Sequence, residues 1–412
     1  MENRTSKPLL IFILGCMTAL SPFSIDMYLP AFQSIADQFQ TTVAHVSLSV
    51  SSYFVGLSFG QLFYGPLLDR FGRKRPLYAG LFLYILASVG CLFSSSTDML
   101  IIWRFVQALG GCVAGVGSMA MVRDLFSLKE SAKVYSLLIL ILGTSPLLAP
   151  TIGGFLSSAF GWKFVFLVLA FFGCTLLFVI RFFLTESHQP DPTVSLKPIP
   201  IAQDFLQVLK NPQFFFFVIS GAIGFSGLFV YIVGSPIIFL QKFQVSSESY
   251  GMIFAIVATG MILASQLNVT LLKKFSNRQI LFCGVLGQMI VGFLLMLGTW
   301  SGHLGLPTTV ALLFIFMGFF GITNPNAGAL ALEPFSANAG RAAALMGFLQ
   351  MGTGSIASTS IGLLELSEML PIVTIMALTS TIAFVVLSYG LRILPPPSTQ
   401  MESSAAAKPL AH

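Results

Sequence analysis

Twelve apolar runs in the chain each approach the roughly 20 residues that an α-helix needs to cross about 30 Å of hydrocarbon. They predict helices at about 9–32, 44–64, 77–94, 99–122, 134–159, 163–184, 214–240, 250–272, 279–299, 307–332, 342–364 and 370–392. Hydrophobic residues make up 55% of the 412 residues and charged residues only 9%, which excludes an ordinary soluble domain. We therefore predict an all-α integral membrane protein.

The first run needs a separate decision, because a basic N-terminus followed by an apolar stretch is also typical of a signal peptide. Arg4 and Lys7 precede the run. However, its apolar core is too long for a signal peptide and is interrupted by Ser21, Pro22 and Asp26, with no small-residue cleavage pattern. We therefore interpret it as a membrane span.

The basic residues indicate orientation, because Lys and Arg accumulate in loops that face the cytoplasm. With the N-terminus inside, only Lys163 and Lys242 lie outside and Arg104 lies within a span, whereas the remaining eighteen of the 21 Lys and Arg are cytoplasmic. This distribution predicts that both termini are cytoplasmic. The net charge of +6 then reflects topology, so we expect no nucleic-acid partner.

The predicted helices fall into two groups of six, residues 1–184 and 214–394. The connection at 185–213 contains five prolines and is expected to be a cytoplasmic linker. The last segment, 395–412, is polar and Pro-rich, which predicts a disordered tail.

The densest charge of the chain lies in the loop 65–76, GPLLDRFGRKRP, after the second run. Within it, residues 67–74 align without gaps on residues 271–278, which follow the eighth run. The offset of 204 residues (271 − 67) is close to half the chain and indicates a duplicated six-helix unit. The orientation of the protein in the membrane explains the basic residues of this loop. It does not require Asp69 or the glycines at 65 and 72.

Four stretches resemble a known family. GPLLDRFGRK at 65–74 is similar to the loop signature of the major facilitator superfamily, G-x-x-x-D-R-x-G-R-K. SIDMYLPAF at 24–32 resembles the first span of the Bcr/CflA (bicyclomycin- and chloramphenicol-resistance) branch of its drug:proton antiporters. IIWRFVQALGG at 101–111 resembles the fourth-span motif. APTIGG at 149–154 is similar to the antiporter motif G-P-x-x-G-G, with Ala149 replacing the first glycine.

The resemblance implies the major facilitator fold, an all-α membrane protein of 12 transmembrane helices in two pseudo-symmetric six-helix bundles. It also implies proton-coupled efflux of small amphipathic drugs or metabolites by alternating access, with a role in multidrug or antibiotic resistance in a bacterial inner membrane. The expected partners are a small-molecule substrate, protons and the lipid bilayer. The protein would act as a monomer, driven by the proton gradient without a cofactor.

Two ionisable residues lie well inside predicted spans, where a charge is costly unless it faces water or a partner. Asp26 and Arg104 both lie roughly 8–9 Å inside the outer boundary, at 1.5 Å per residue. Since helices 1 and 4 surround the central cavity in the family, the resemblance implies an Asp26–Arg104 pair for proton coupling. Arginine does not deprotonate, so Asp26 would carry the proton. A static ion pair that fixes helix packing is the alternative.

By resemblance, Asp69 contacts the N-terminus of helix 11, where free amides and the helix dipole favour an anion. Residues 336–341 form that end, with Ser336 or Asn338 as a cap and Arg341 in the first turn. The contact would latch the outward-open state, and a purely structural loop is the alternative.

The fifth run predicts either close packing against the other half or ordinary helix packing. The predicted conformational residues are Gly65, Asp69, Arg70, Gly72, Arg73, Pro150, Gly153 and Gly154.

The substrate pocket is predicted from aromatic and polar side chains near mid-span. The 41 Phe and 16 Met suit a cavity for varied apolar compounds, although most of these side chains must face lipid. The residues chosen are Tyr28, Tyr53, Gln107, Phe225, Tyr231, Asn324, Asn326 and Gln350.

Other functions compete with drug efflux. A proton symporter importing a small nutrient, or an exporter of an amino acid or sugar, would use the same fold, although APTIGG argues against the symporter. An intramembrane enzyme needs a catalytic cluster within the spans, but His45 and His303 lie at outer edges, His188 in the linker and His412 at the terminus. The five Cys lie in apolar runs and are interpreted as core residues. We therefore expect no enzyme activity, no catalytic residue and no metal site.

Overall fold

The computed structural model describes residues 6–194, 198–335, 339–366 and 368–394, and within these ranges the regular secondary structure is helical. The α-helices are α1 (Lys7–Asp26), α2 (Phe32–Phe39), α3 (Val43–Phe71), α4 (Lys74–Leu92), α5 (Thr97–Leu125), α6 (Leu128–Phe160), α7 (Trp162–Phe183), α8 (Pro198–Leu209), α9 (Pro212–Pro236), α10 (Ser247–Leu271), α11 (Asn277–Trp300), α12 (Leu306–Leu332), α13 (Ala339–Leu363) and α14 (Met369–Ile393). Twelve of them correspond to the twelve predicted runs, while α2 extends the first run and α8 lies in the linker.

Eleven helical stretches of the described chain are long and apolar enough to cross a membrane. The remaining long helix, α13, is richer in Gly, Ser and Thr and packs against α3 and α9. A Cβ atom at Gly354 would press on the Phe229 ring, and one at Gly362 on Leu48. Small residues therefore let α13 approach protein neighbours closely, which explains its lower apolarity. Large side chains elsewhere face outward, such as Phe171, which is 72% exposed.

The two groups of six helices repeat one packing pattern. In the first half α1 packs against α5, α6 and α7, and in the second half α9 packs against α12, α13 and α14. Likewise α4 lies against α5 and α7, while α11 lies against α12 and α14. The first helices of the halves, α1 and α9, are therefore structural equivalents.

The first predicted run is not one continuous helix. Helix α1 ends at Asp26, a 3₁₀ turn follows at Leu29–Ala31, and α2 begins at Phe32. The break is explained by Pro30, because a proline ring clashes with the carbonyl four residues earlier, here that of Asp26, and has no N–H to donate. Asp26 therefore lies at a helix end rather than in a helix middle.

The halves meet along α3–α13 and α6–α10. We call the end of the bundle that carries residues 65–76 and 123–133 the basic end, and the other the opposite end. At the opposite end, the Ser247 hydroxyl of α10 donates to the Pro30 carbonyl at 3.2 Å. In α3, the Ser51 hydroxyl donates to that of Ser358 at 3.2 Å. The halves are thus in direct contact at the opposite end.

At the basic end the halves enclose a cavity of about 880 Å³. Gln61, Asp69 and Arg123 line it from the first half, while Gly340 and Arg341 line it from the second. Linker residues also contribute. The conformation is therefore closed between the halves at the opposite end and open at the basic end.

Candidate transport site

Asp26 is buried where α1 ends, with only 4% of its surface exposed. Its Oδ1 atom has no hydrogen-bond partner among the described residues. The charge of Asp26 interacts electrostatically with the hydroxyls of Tyr231 and Tyr250 in the second half. The carboxyl group therefore lies at the boundary between the halves and faces neutral groups.

Arg104 is fully buried in α5 and is surrounded by aromatic rings. Its guanidinium carbon lies 4.5 Å from the ring centroid of Tyr28 and 4.2 Å from that of Tyr53. Nη1 donates to the Gln107 Oε1 atom at 2.6 Å, whereas Nε and Nη2 find no acceptor within the described part of the chain. Cation–π contacts of this type stabilise a desolvated cation by about 2 kcal/mol.

The predicted Asp26–Arg104 ion pair is absent from this conformation. Equal depth does not determine the direction in which a side chain points around its helix. Arg104 points into the aromatic group of Tyr28 and Tyr53 within the first half, whereas Asp26 faces the second half. The prediction of the pair is therefore wrong for the conformation described, although both residues are buried as predicted.

Gln107 extends the polar contacts of Arg104 towards α4. Its Nε2 atom donates to the Ser88 hydroxyl at 2.8 Å, and one turn earlier the Tyr84 hydroxyl bonds with that of Ser24 in α1 at 2.7 Å. Sequence reasoning missed Ser24, Tyr84 and Ser88. The sequence signal that could have identified them is a hydroxyl group inside an apolar run. A membrane interior tolerates such a group when it is hydrogen-bonded to a partner.

The polar residues predicted for the pocket in the second half bond to other amide side chains, one of which, Asn268, was not predicted. Asn326 donates to the Asn268 side chain in α10 at 2.7 Å, and Gln350 donates to that of Asn324 at 3.2 Å. These bonds connect α12 to α10 and to α13.

The aromatic candidates form separate contacts. The Phe225 ring lies 5.1 Å from that of Phe320, while the Tyr231 ring stacks on Phe254 at 5.3 Å with an interplanar angle of 25°. The cavity at the basic end is lined by other residues, among them Gln61, Tyr135 and Arg341.

The segment 65–76 was predicted to be a loop, but α3 continues to Phe71 and α4 begins at Lys74, so that only Gly72 and Arg73 lie between the two helices. An ion-pair cluster holds this segment. The buried Arg73 guanidinium donates to Asp69 through Nη1 and to Asp124, near the end of α5, through Nε, each at 2.7 Å. Burial lowers the pKa of Arg73, but hydrogen bonds to Asp124 and Asp69 outweigh it and leave the pKa above its usual value. Arg73 thus joins the ends of α3 and α5.

The linker also contacts the segment 65–76. Glu186 accepts hydrogen bonds from the backbone N–H groups of Arg73 at 2.8 Å and Lys74 at 3.0 Å, at the amino end of α4. The backbone of Gly72 has φ +79°, and a Cβ atom there would lie 3.0 Å from Glu186, so both conformation and space favour glycine. Arg70 donates to the Val194 carbonyl at 2.8 Å. Asp124 and Glu186 were not predicted.

The predicted latch between Asp69 and helix 11 falls partly on Ser336 and Asn338, which lie outside the described residues. In this conformation Asp69 bonds to Arg73, and its side chain is 44% exposed. A Cβ atom at Gly65 would meet open space, as expected beside a cavity that is open at the basic end. The latch itself stays a prediction.

The glycines of α6 allow two close approaches. A Cβ atom at Gly153 would overlap the Met27 carbonyl beside the break after α1, and one at Gly154 would lie 2.6 Å from the Ser247 carbonyl oxygen in the second half. A Cβ atom at Gly251 would lie 2.7 Å from the Cα atom of Thr151, the residue after Pro150. Gly153 therefore allows α6 to pack closely within the first half, and Gly154 allows it to pack closely against the second half.

Comparison with known proteins agrees with this architecture. The family model described as Major Facilitator Superfamily matches residues 14–359. A bicyclomycin resistance protein homolog of Haemophilus influenzae is 30% identical over 377 residues, covering 90% of this chain and 93% of the relative. The multidrug resistance protein MdtL of a Shewanella strain is 30% identical over 380 residues, covering 90% and 93%.

Among solved structures, the crystal structure of a D-xylose-proton symporter superposes with a TM-score of 0.73 at 18% identity. The match covers 95% of this chain and 98% of the symporter. At that identity the similarity concerns the fold alone.

Proposed function

Because the chain belongs to the major facilitator superfamily, whose members are membrane transporters rather than enzymes, we propose that it exports small amphipathic compounds in exchange for protons. The names of its relatives, which refer to bicyclomycin and multidrug resistance, support a drug-like substrate. The stretches at 24–32 and 149–154 favour the Bcr/CflA branch of the antiporters.

The observation that carries this proposal is the position of Asp26. It is buried at the boundary between the halves, and its Oδ1 atom has no partner in the described part of the chain. Burying an unpaired carboxylate is costly, and that cost falls when water reaches the group. Opening and closing of the halves therefore changes the balance between its acid and its anion, which is the requirement for coupling protons to conformation.

Arg104 has a different role in this proposal. A guanidinium stays charged, so Arg104 cannot carry the transported proton. Held by Tyr28, Tyr53 and Gln107, it keeps a fixed positive charge in the first half. That charge disfavours a second cation nearby and stabilises an anion that approaches it.

We propose that the basic end faces the cytoplasm of a bacterial cell and that the opposite end faces outward across the inner membrane. The cavity at the basic end then admits substrate from the cytoplasm. Closure there and opening at the α6–α10 and α3–α13 contacts would release it outside. We expect a monomer to be sufficient, without a cofactor.

The test is transport by purified protein in liposomes with an imposed pH gradient, across a panel of drugs and metabolites. The wild type should accumulate a drug in the direction opposite to proton flow. Asp26→Asn should abolish accumulation against a gradient while drug binding persists. Asp37→Asn is the matched control, because Asp37 is an exposed carboxylate of α2 that accepts a bond from Gln33.

Two outcomes would contradict the proposal. Accumulation by Asp26→Asn, with proton movement intact, would exclude Asp26 as the coupling residue. Accumulation of a substrate in the same direction as protons would identify a symporter instead.

A further inference from the structure

Tyr231 in the second half lies opposite Asp26 in the first. They belong to α9 and α1, the equivalent first helices of the two halves, and the 3₁₀ turn that follows Asp26 contacts both α9 and α10. The Tyr231 side chain is buried, with its ring stacked on Phe254 of α10. The stacking fixes the ring at the boundary between the halves.

Asp26 and Tyr231 each have a buried polar atom without a hydrogen-bond partner among the described residues, as do seven other residues that include Tyr53 and Arg104. In Asp26 and Tyr231 these atoms are Oδ1 and the hydroxyl oxygen. Such groups are rare in folded proteins because each lost bond is costly. Tyr250 also interacts with the charge of Asp26, but its hydroxyl is already bonded to that of Ser235 at 2.7 Å. Tyr231 therefore has the uncommitted hydroxyl.

We propose that Tyr231 is the partner of Asp26 across the boundary, and that its hydroxyl donates a hydrogen bond to the carboxylate whenever Asp26 is ionised and no substrate is bound. The inference rests on the proposed proton coupling through Asp26. It makes Tyr231 a positioning residue that transmits the ionisation state of Asp26 to the second half, rather than a residue of the substrate pocket.

A bond to an ionised acceptor is roughly twice as strong as one between neutral groups. Ionisation of Asp26 thus strengthens a contact that connects the halves, and protonation weakens it. The bond must break for the opposite end to open. An antiporter without substrate and with Asp26 deprotonated is therefore held closed at that end. It cannot open outward, bind a proton and carry it inward without having exported substrate.

Few other charged groups face Asp26. Helix α5 supplies Arg104, which points towards Tyr28 and Tyr53. Helices α6 and α7, which also pack against α1, carry their Lys, Arg and Glu only near their ends. Among the described residues of the second half, the titratable groups that interact with Asp26 are Tyr231 from α9 and Tyr250 from α10.

The experiment measures proton leak without substrate, in liposomes that contain the full chain and carry an imposed pH gradient. Tyr231→Phe removes the hydroxyl and keeps the stacked ring. It should raise the leak about tenfold, the factor that corresponds to losing about 1.4 kcal/mol of a charge-assisted bond. Tyr250→Phe, which removes a hydroxyl that is bonded elsewhere, should leave the leak near the wild-type value.

The double variant Asp26→Asn/Tyr231→Phe completes the cycle. Without an ionisable Asp26, the second substitution should have no effect on leak. A wild-type leak in Tyr231→Phe, an equal increase in Tyr250→Phe, or an undiminished increase in the Asp26→Asn background would each overturn the inference. If Asp26→Asn is uncoupled and Tyr231→Phe behaves as wild type, only the role of Tyr231 fails. If Asp26→Asn still couples protons, the proposed function fails with it.

Discussion

The two halves share a packing pattern but differ in where they place charge. The first half buries Asp26 and Arg104 and builds an ion-pair cluster on Arg73. The second half buries neutral groups instead, among them the phenol of Tyr231 and the paired amides of Asn268 and Asn326. The halves therefore share their helix contacts, which depend on shape, whereas the buried charges of the described residues lie in the first half.

The aligned loops show the same contrast in detail. Asp69 and Arg73 of the first half correspond to Lys273 and Asn277 of the second. Where Arg73 forms ion pairs, the second half uses a capping box, in which Ser276 and Gln279 bond to each other's backbone at the start of α11. The Arg73 ion pairs lie at the start of α4, and the capping box lies at the start of α11. Of the two arrangements, the ion-pair cluster connects three segments of the chain, whereas the capping box is local.

The largest expected effect comes from making the first loop resemble its counterpart. Arg73→Asn leaves Asp124, whose side chain is only 10% exposed, without its buried partner. Breaking one side of a buried pair typically costs about 3 kcal/mol or more. Thermal unfolding in detergent should therefore show a clear loss of stability. The reverse exchange, Asn277→Arg, is the control and should change stability by less than about 0.5 kcal/mol. Equal effects at both sites would show that the loops are equivalent after all.

A second prediction follows from Asp26, the one carboxylate that lies well inside a span in the described part of the chain. If one proton enters through Asp26 for each neutral substrate expelled, one net charge crosses per cycle, and a potential contributes about 2.3 kcal/mol per 100 mV. That free energy supports roughly a fifty-fold gradient. For a monovalent cation the exchange is electroneutral.

Liposomes under a potassium-diffusion potential at equal pH provide the measurement. A neutral substrate should follow the potential and a cationic one should ignore it. Equal responses of the two substrates, or a neutral substrate that ignores the potential, would exclude one-for-one exchange.

Much of the architecture was predictable from sequence because hydrocarbon dictates the length and polarity of a span. The break after α1 was not predicted, although Pro30 lies four residues after Asp26 and its steric effect on that carbonyl is general. The helix periodicity and depth arguments brought Asp26 and Arg104 to the same level. They could not give the side-chain directions, which depend on the tertiary contacts of Tyr28 and Tyr53.

The ion-pair cluster was only half predictable. Asp69 and Arg73 lie in one recognisable motif, but Asp124 and Glu186 are 51 and 113 residues from Arg73 along the chain. Each lies just after a predicted span, where a single carboxylate is unremarkable. The packing of α4 against α5 and α7, with α3 beside α5, brings these residues together.

A smaller effect is expected from the capping device of the second half. Ser276→Ala removes the side chain that accepts the Gln279 N–H at 3.3 Å, and loss of such a cap typically costs about 1 kcal/mol. Thermal unfolding should place this variant between wild type and Arg73→Asn. A loss as large as that of Arg73→Asn would mean that the neutral cap is as important as the ion-pair cluster.

The smallest effect should come from Asp69→Asn, because this substitution weakens two conformations at once. In the conformation described, it removes a bond from Arg73 to a half-exposed carboxylate, and exposed ion pairs are worth at most about 1 kcal/mol. In the latched conformation, it removes an anion from a helix N-terminus, worth about 0.3–1 kcal/mol when exposed and up to about 2 when partly buried. We expect the second loss to exceed the first, so populations should shift severalfold towards opening at the basic end. Distances between spin labels on the two halves at that end report the shift, with Lys273→Gln as the symmetry-related control. An unchanged distance distribution in Asp69→Asn would count against the latch.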